Sequence, residues 1–305
     1  MKPAAFTYHR AREVPGAIGL LAELGGDAKI IAGGQSLVAM MNFRLARPAH
    51  LVDIGRIGGL DQLRRDGQSL RIGALTTHHA VETATDASLG SGFTLLRDAM
   101  AWVGHLPIRT RGTVGGSLAH ADATAEWCLL AVLLDAEIVA QGPHGTRTVA
   151  ARNFFYGFYT TDLAPDEMFV EVVFPRPAPH SALLEFAERR GDFAIVSAAV
   201  DLDLDAEGAV LGGRVALGGV APVPVRVPEA EAVLAEGGPA GPEVFRRCAA
   251  AAAAAIDPPG DGNGGADYRR ALTRTLVEQA CAKAGRLRSE PRRATIAESR
   301  SGGKQ

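Results

Sequence analysis

The sequence has few cysteines, and none of them is close to another. Cys128, Cys248 and Cys281 are widely separated, and no CxxC motif occurs among the 305 residues. A zinc or iron–sulfur site usually needs several thiolate or imidazole ligands at short spacings. The pattern argues against a metal site held by this chain alone, and it favours small, buried, unreactive thiols.

Long apolar runs and an excess of charge of one sign are also missing. No run reaches the roughly 18 apolar residues of a spanning helix, and the first residues, MKPAAFTYHR, lack the apolar core of a secretory signal. The net charge of −2 gives no reason to expect binding to nucleic acid or to a bilayer. We therefore expect a cytoplasmic protein without an integral membrane segment, long enough for two or three domains.

The pattern of strands and helices predicts an α+β protein. A helix is predicted from Pro15 to Gly25, with Ile18, Leu21 and Ala22 on one apolar face. The strands and helices that follow do not alternate regularly as βαβ units would. Strands are predicted at AKIIAGG, HLVDI, SLRIGAL and DEMFVEVVFP, and EIVAQGPHGTRTV predicts two strands around a Gly-Pro-His-Gly turn. Helices are predicted at TTHHAVET, which Thr77 would cap, FTLLRDAMAWVG and TAEWCLLAVLLDA.

A proline-rich connector, PRPAPH at residues 175–180, predicts a domain boundary. Beyond it, Val200, Leu202 and Leu204 alternate with aspartates, which predicts a half-exposed strand. Another strand is predicted in GGRVALGGVAPVPVRV, followed by helices at EVFRRCAAAAAAAI and YRRALTRTLVEQACAKAG. Residues 289–305 are polar and lack apolar periodicity, so we predict a disordered tail.

Two Gly-Gly segments about 80 residues apart are the strongest local signal: AGGQSL at 32–37 and TVGGSL at 113–118. Successive glycines can aim their N–H groups into one concavity and so bind an anion, above all a phosphate. Arg109 and Arg111 would supply cations near a bound phosphate. Asp122 and Glu126 follow the second segment, and their side chains could bind ribose or adenine groups. Neither GxGxxG nor GxxxxGK[ST] is present, so a Rossmann site or a P-loop is not indicated.

The stretches AGGQSLVAMMNFRLARPAHLVDI and IRTRGTVGGSLAHADATAEW resemble the two flavin-binding stretches of the FAD-binding medium subunits of molybdenum hydroxylases. This family includes the carbon monoxide dehydrogenase medium subunit and the FAD part of the xanthine dehydrogenase family. Further similar segments, among them LRIGALTTH, FFYGFYTTDLAPDE and ERRGDFAI, extend the resemblance in order over residues 1–280.

The resemblance implies a two-lobed FAD-binding domain of the vanillyl-alcohol oxidase (PCMH) type at 1–175, with lobes of about 1–57 and 58–175. A smaller α+β C-terminal domain of the carbon monoxide dehydrogenase flavoprotein type would follow at 176–288. FAD would be held non-covalently, with the Gly-Gly segments at its pyrophosphate, the two acidic residues at its adenosine part, and an aromatic residue near its ring. The implied FAD-binding residues are Ala32, Gly33, Gly34, Gln35, Ser36, Leu37, Thr113, Val114, Gly115, Gly116, Ser117, Asp122, Glu126, Met168, Phe169 and Phe193.

By the same resemblance, the chain is an oxidoreductase subunit that transfers electrons. Molybdopterin and [2Fe–2S] clusters are expected in a large and a small partner subunit only, in a dimer of heterotrimers, so this chain is assigned no metal ligand and no catalytic residue. The alternative is a self-sufficient flavoprotein oxidase or reductase, for which Tyr156 and Tyr159 are the candidate groups over the flavin. A non-enzymatic nucleotide-binding scaffold is a third interpretation. Neither the substrate nor the electron acceptor can be read from the sequence.

Overall fold

The computed structural model describes residues 2–286. The tail predicted to be disordered, residues 289–305, lies outside the described residues. Within 2–286, no helix is both long enough and apolar enough to cross a membrane.

The chain begins with a small parallel sheet whose strands lie in the order β1-β3-β2. Tyr8 and Lys29 both pair with Leu51 of the central strand. Its apolar core includes Val52 and also Met168, which comes from the next sheet. The elements are β1 Thr7–Arg10, α1 Val14–Leu24, β2 Ala28–Ile31, α2 Leu37–Asn42 and β3 His50–Asp53.

Helix α1 shows how local sequence sets these elements. Pro15 lies in its first turn and Gly25 ends it with φ 61°, a conformation that favours glycine. The predicted apolar face is wrong at one position, because Ala17, Ile18 and Leu21 are buried whereas Ala22 is exposed. The first strand, β1, was not predicted.

A five-stranded antiparallel sheet forms the second part, in the order β4-β5-β10-β6-β7. Its core contains Trp127 and Phe174, and the buried helix α8 packs within it. Strand β4 was not predicted, whereas Pro175 ends β10 as expected. The strands are β4 Leu63–Asp66, β5 Ser69–Gly73, β6 Glu137–Gly142, β7 Gly145–Ala150 and β10 Met168–Phe174, with the short pair β8 Phe155–Gly157 and β9 Thr160–Thr161. The helices are α3 His78–Glu82, α4 Asp86–Leu89, α5 Thr94–Ala99, α6 Leu106–Arg109, α7 Val114–His120 and α8 Glu126–Leu133.

The third part is an antiparallel sheet in the order β11-β12-β13-β14, with β15 paired to β13. One face carries Val196, Ala198 and Val200 against the long helices α10 and α11, and the other face contributes Leu183 and Ala199 to the core of the second part. The elements are β11 Ser181–Phe186, β12 Val196–Leu204, β13 Ala209–Gly218, β14 Val225–Arg226, α9 Pro228–Ala235, β15 Gly238–Pro239, α10 Pro242–Ala254 and α11 Ala266–Arg286.

The prediction of a half-exposed β12 is wrong over most of its length. Asp201 is only 1% exposed, because both faces of the sheet are covered at that point. Its Oδ2 accepts hydrogen bonds from Arg176 Nη2 (2.7 Å) and Arg214 Nη1 (3.1 Å). Even with these partners, burial raises the pKa of Asp201 to about 6. The alternation of aspartates therefore reflects buried ion pairing near the middle of the strand and solvent exposure only near its end.

Candidate functional site

The two Gly-Gly segments lie in the wall of one cleft of about 570 Å³. The cleft is formed by the end of β2, the start of α7 and α8, the start of β10, and the loop before β12. Every residue that the resemblance implied lines this cleft, with the exception of Val114. The side chain of Val114 is fully buried and belongs to the apolar core of the second part, so it does not line the cleft.

The first segment leaves β2 and enters α2 with free backbone donors. The N–H groups of Gly33, Gly34, Gln35 and Ser36 donate to no acceptor among residues 2–286. Gly34 has φ 72°, in the left-handed region that glycine adopts without strain. The Gln35 side chain does not reach into the cleft as a free donor, because its Nε2 donates to the Gly33 carbonyl oxygen at 3.1 Å.

Gly33 is required by a close approach between the two segments. A Cβ at this position would overlap the carbonyl oxygen of Arg111 and would lie 2.8 Å from the Arg111 carbonyl carbon and 2.9 Å from Gly112 Cα. Ordinary carbon contacts are about 3.5–4.0 Å. The missing side chain therefore lets the loop after β2 and the chain before α7 meet backbone to backbone at the cleft.

The second segment is the first turn of helix α7 and not an anion-binding turn. Thr113 is its N-cap, and Thr113 Oγ1 accepts the Gly116 N–H at 3.1 Å. The N–H of Val114 donates to Thr76 O, that of Gly115 to Ala74 O, and that of Ser117 to Thr113 O. The prediction of a second nest of free N–H groups is therefore wrong, since hydrogen bonds within the protein already use them.

Glycine in α7 instead permits close packing. A Cβ on Gly115 would lie 2.8 Å from the backbone of Ala74 and 2.8 Å from the ring of Phe169. A Cβ on Gly116 would meet only Thr113 Oγ1, at 2.8 Å. The absence of a side chain at Gly115 therefore lets α7 pack closely against the second sheet. Its absence at Gly116 leaves space on the cleft side of the helix.

The two acidic residues both line the cleft but differ in their surroundings. Asp122 Oδ1 accepts from Thr124 N (2.9 Å) and Thr124 Oγ1 (2.8 Å), and its Oδ2 accepts from Tyr159 Oη at 3.3 Å. Glu126 begins α8, and burial, with a smaller contribution from the Asp122 charge, raises its pKa to about 7. Asp122 is a fixed acceptor that shapes the turn, and Glu126 is a carboxyl that changes protonation near neutral pH.

The predicted cations do not reach the cleft. Arg109 Nε donates to Glu82 Oε2 at 2.9 Å, and its Nη1 donates to the carbonyls of Val103 and Gly104. Arg111 approaches the cleft through its backbone, against Gly33. Among the described lining residues, the cationic side chain is that of Lys29. Backbone N–H groups are therefore the main donors at the first glycine segment.

Two aromatic positions differ sharply in burial. Phe169 is buried at the start of β10 beside Gly115, whereas Phe193 is 74% exposed at the cleft. Phe193 precedes β12, so the third part of the molecule contributes an exposed ring to a cleft built mainly by the first two. Phe193 therefore offers an accessible ring face at the cleft.

His78 is a lining residue that the sequence did not single out. Trp127 Nε1 donates to its Nδ1 at 3.0 Å, and burial, together with the charge of Arg109, lowers its pKa to about 4. His78 is therefore a neutral imidazole behind the Gly112 backbone. The sequence predicted Thr77 as a helix cap, and its side chain does accept the Ala80 N–H at 3.1 Å. Because His78 follows Thr77 directly, its place at the start of this helix could be predicted. Only the fold places it beside Gly112.

The model of the FAD binding domain in molybdopterin dehydrogenase matches residues 4–177. The chain belongs to this family of FAD-binding subunits. The model of the carbon monoxide dehydrogenase flavoprotein C-terminal domain matches residues 181–284. The protein is thus an FAD-binding oxidoreductase subunit of the molybdenum hydroxylase family, and the predicted α+β architecture with an FAD domain followed by a C-terminal domain is confirmed.

The relatives extend over nearly the whole chain. The chain is 41% identical over 287 residues to the 6-hydroxypseudooxynicotine dehydrogenase complex subunit alpha of Paenarthrobacter nicotinovorans, covering 93% of this chain and 96% of the relative. It is 35% identical over 282 residues to the carbon monoxide dehydrogenase medium chain of Hydrogenophaga pseudoflava, with 92% and 97% covered. A carbon monoxide dehydrogenase structure from that organism superposes with a TM-score of 0.89 at 36% identity, covering 94% of this chain and 99% of that chain. Quinoline 2-oxidoreductase from Pseudomonas putida 86 matches with a TM-score of 0.89 at 35% identity, with 94% and 99% covered.

The cleft fits the FAD that this family carries. Its volume of about 570 Å³ is within the range of pockets that enclose cofactors. Free N–H groups at Gly33–Ser36 suit an anionic diphosphate, and Phe193 offers a ring face to a flat partner. Among the described residues, no group of three His, Cys, Asp or Glu side chains is arranged to hold a metal ion.

Proposed function

We propose that this chain takes electrons from [2Fe–2S] clusters of a small partner subunit and passes them to an external acceptor. A large molybdopterin subunit would oxidise the substrate in the same complex. The observation that carries the proposal is a cleft with free N–H donors at Gly33–Ser36 and an exposed Phe193 ring, in a chain with only three cysteines. A [2Fe–2S] cluster takes four protein ligands, usually cysteines. The described residues hold no group of three His, Cys, Asp or Glu side chains that could bind a metal ion, so we place the clusters in a partner.

The bound FAD would supply the chemistry, because a flavin can accept two electrons and release them singly. The residues of this chain bind and position it. We propose that the loop after β2 donates its N–H groups to the diphosphate and that Asp122 and Glu126 contact the adenosine part. Phe193 would cover the flavin ring. The proposed FAD-binding residues that line the cleft are Ala32, Gly33, Gly34, Gln35, Ser36, Leu37, Thr113, Gly115, Gly116, Ser117, Asp122, Glu126, Met168, Phe169 and Phe193. Val114 completes the set from behind the start of α7.

The domain limits and the assembly belong to the same proposal. We infer lobes of about 1–57 and 58–175 and a C-terminal domain at 176–288. The separate sheets of the first and second parts support the division between the two lobes. The 6-hydroxypseudooxynicotine protein is named as one subunit of a complex, and two other relatives are named as medium subunits or chains. Those names support a large and a small partner here, arranged as a dimer of heterotrimers in the cytoplasm.

The alternative, a self-sufficient flavoprotein oxidase, requires an acid, base or phenolate over the flavin. Tyr156 lies outside the cleft, and its Oη donates to Asp162 Oδ1 at 2.6 Å. Tyr159 lines the cleft, but burial and Asp122 raise its pKa, so it stays a protonated phenol. Neither tyrosine is prepared to remove a proton from a substrate, which favours the electron-transfer role.

The test separates electron transfer from substrate oxidation. The purified chain, loaded with FAD and free of molybdenum and iron, should accept electrons from an artificial donor and reduce a dye. It should not hydroxylate nicotine, quinoline or a purine until the large and small subunits are added. Oxidation of any such substrate by the isolated chain at a rate comparable to that of a complete complex would contradict the proposal and favour the self-sufficient oxidase.

A further inference from the structure

The segment that carries Phe193 is a loop of residues 187–195, between β11 and β12. We call it the Phe193 loop. Residues 191–194 line the cleft. At the base of the loop, the Ile195 N–H donates to Phe186 O at 2.7 Å. The position of Phe193 at the cleft therefore depends on what holds this base.

A charged side chain from α11 reaches the base of the Phe193 loop. Arg269 is only 4% exposed. Its Nη1 donates to the carbonyl oxygens of Ile195 at 2.5 Å and of Gly219 at 2.7 Å. Ile195 directly precedes β12, Gly219 directly follows β13, and the two strands pair with each other at this end. One guanidinium therefore ties the start of β12 to the end of β13.

Gly219 connects the same guanidinium to the turn that carries Asp122. The Gly219 N–H donates to Ala123 O at 3.2 Å, and Ala123 follows Asp122, which lines the cleft. Gly219 has φ 76°, and a Cβ at this position would overlap the carbonyl oxygen of Ile195. The absence of a side chain at Gly219 therefore lets both carbonyl groups converge on Arg269.

The counter-charge of Arg269 comes from a loop between α10 and α11. Asp261 Oδ2 accepts from Arg269 Nη2 at 2.7 Å, and Asp261 Oδ1 accepts the Asn263 N–H at 2.9 Å. The hydrogen bond from Asn263, followed by that from Arg269, lowers the pKa of Asp261. The Asp261 N–H donates to Gly264 O at 3.1 Å, which closes a tight turn. The carboxylate is thus held where it can keep the guanidinium against the two carbonyl groups.

This ion pair contributes more to geometry than to stability. Burying a guanidinium costs hydration energy, which the attraction of one carboxylate offsets only in part. Arg269 Nε also makes no hydrogen bond among residues 2–286. The planar guanidinium does, however, present its donors in fixed directions, so it sets the positions of the acceptors that it binds.

We propose that Arg269 is a positioning residue for the flavin. It does not line the cleft itself, but it holds the base of the Phe193 loop so that the Phe193 ring covers the flavin. This inference rests on the proposed contact between Phe193 and FAD, and it does not depend on the direction of electron flow. Weakening the hydrogen bonds of Arg269 lets the loop move, so the surroundings of the flavin ring change although every residue that contacts FAD is still present.

Two variants of the FAD-saturated full chain test this role. Arg269→Lys keeps the charge and loses the planar set of donors, whereas Asp261→Asn removes the counter-charge at a side chain that is 52% exposed. Both should change the visible circular dichroism of the flavin in the same direction as Phe193→Ala. Both should also alter the rate at which oxygen reoxidises the reduced flavin by about twofold or more, the lower end of the coupling expected through a shared backbone shift.

A double variant separates positioning from a merely structural role. Arg269→Lys added to Phe193→Ala should give no further change in either flavin signal, because Arg269 acts through the Phe193 ring. If Arg269→Lys fails to fold, Asp261→Asn provides the same comparison. Arg270→Lys is the matched control, since Arg270 is the next residue on α11 and pairs with Asp257 and Asp267, neither of which lines the cleft. It should leave both signals unchanged.

The outcomes separate this role from the electron-transfer function. The proposal is overturned if Arg269→Lys and Asp261→Asn leave both flavin signals as in the unmodified chain. It is also overturned if they change the signals equally with and without the Phe193 ring. An unmodified chain that accepts no electrons from an artificial donor would contradict the proposed function instead, and the circular dichroism of its oxidised flavin would still test the role of Arg269.

Discussion

Replacing Gly33 by alanine tests whether backbone contact between the two segments builds the FAD cleft. The added Cβ would lie 2.8 Å from the Arg111 carbonyl carbon and 2.9 Å from Gly112 Cα. Restoring ordinary contact at about 3.5–4.0 Å requires the two backbones to separate by roughly 1 Å. Overpacking of this kind typically costs about 1–3 kcal/mol. The free N–H groups of the same loop would shift with it, so FAD affinity should fall about tenfold or more.

Two measurements check this prediction separately. Urea unfolding of the FAD-free protein, followed by circular dichroism, gives the free energy of unfolding without a contribution from bound ligand. Quenching of flavin fluorescence during titration gives the dissociation constant. Gly26→Ala is the control, because a Cβ there would have no atom within 4 Å. If Gly33→Ala bound FAD within twofold of the unmodified chain, with unchanged stability, the close backbone contact would not be what shapes the cleft.

Three further predictions address the site. Gly34→Val places a branched side chain at φ 72°, and Gly116→Val adds a side chain on the cleft side of α7. Both variants should purify with less flavin than the unmodified chain, with an unchanged circular dichroism spectrum. Full flavin content in both variants would show that these glycines do not belong to the FAD site. Phe193→Ala should alter the flavin absorbance or its reoxidation rate, since ring packing contributes about 0.5–1.5 kcal/mol; an unchanged spectrum, redox potential and reoxidation rate would leave Phe193 as a surface residue. In Glu185→Gln the free energy of unfolding should fall less between pH 5 and 8 than it does in the parent chain. In the parent, burial raises the folded-state pKa of Glu185 to about 8, so the neutral carboxyl favours the folded state at low pH and this contribution is lost as the pH rises through that value. At about 1.4 kcal/mol for each pKa unit, the effect on the free energy of unfolding is at most a few kcal/mol, and identical pH profiles for variant and parent would refute it.

The sequence determined the local elements and the kind of site. The N-cap at Thr77, the proline after β10 and the apolar run of α8 act over a few residues, so their pattern predicts them directly. The free N–H groups after β2 also follow from local chemistry, because only glycine accepts the required turn at residue 34. The FAD-binding subunit family was recognisable on the same stretches.

Only the tertiary structure decided which groups face the ligand. TVGGSL has the composition of a turn, but hydrogen bonds to Ala74 and Thr76, distant in sequence, make it the start of a helix and direct Val114 into the core. Arg109 is drawn away from the cleft by Glu82. Asp201 is buried because a second layer covers its strand, and Glu185 is left without a partner for the same reason. Sequence periodicity describes one element at a time, whereas burial and pairing depend on which elements meet, and that is settled only when the sheets and helices pack.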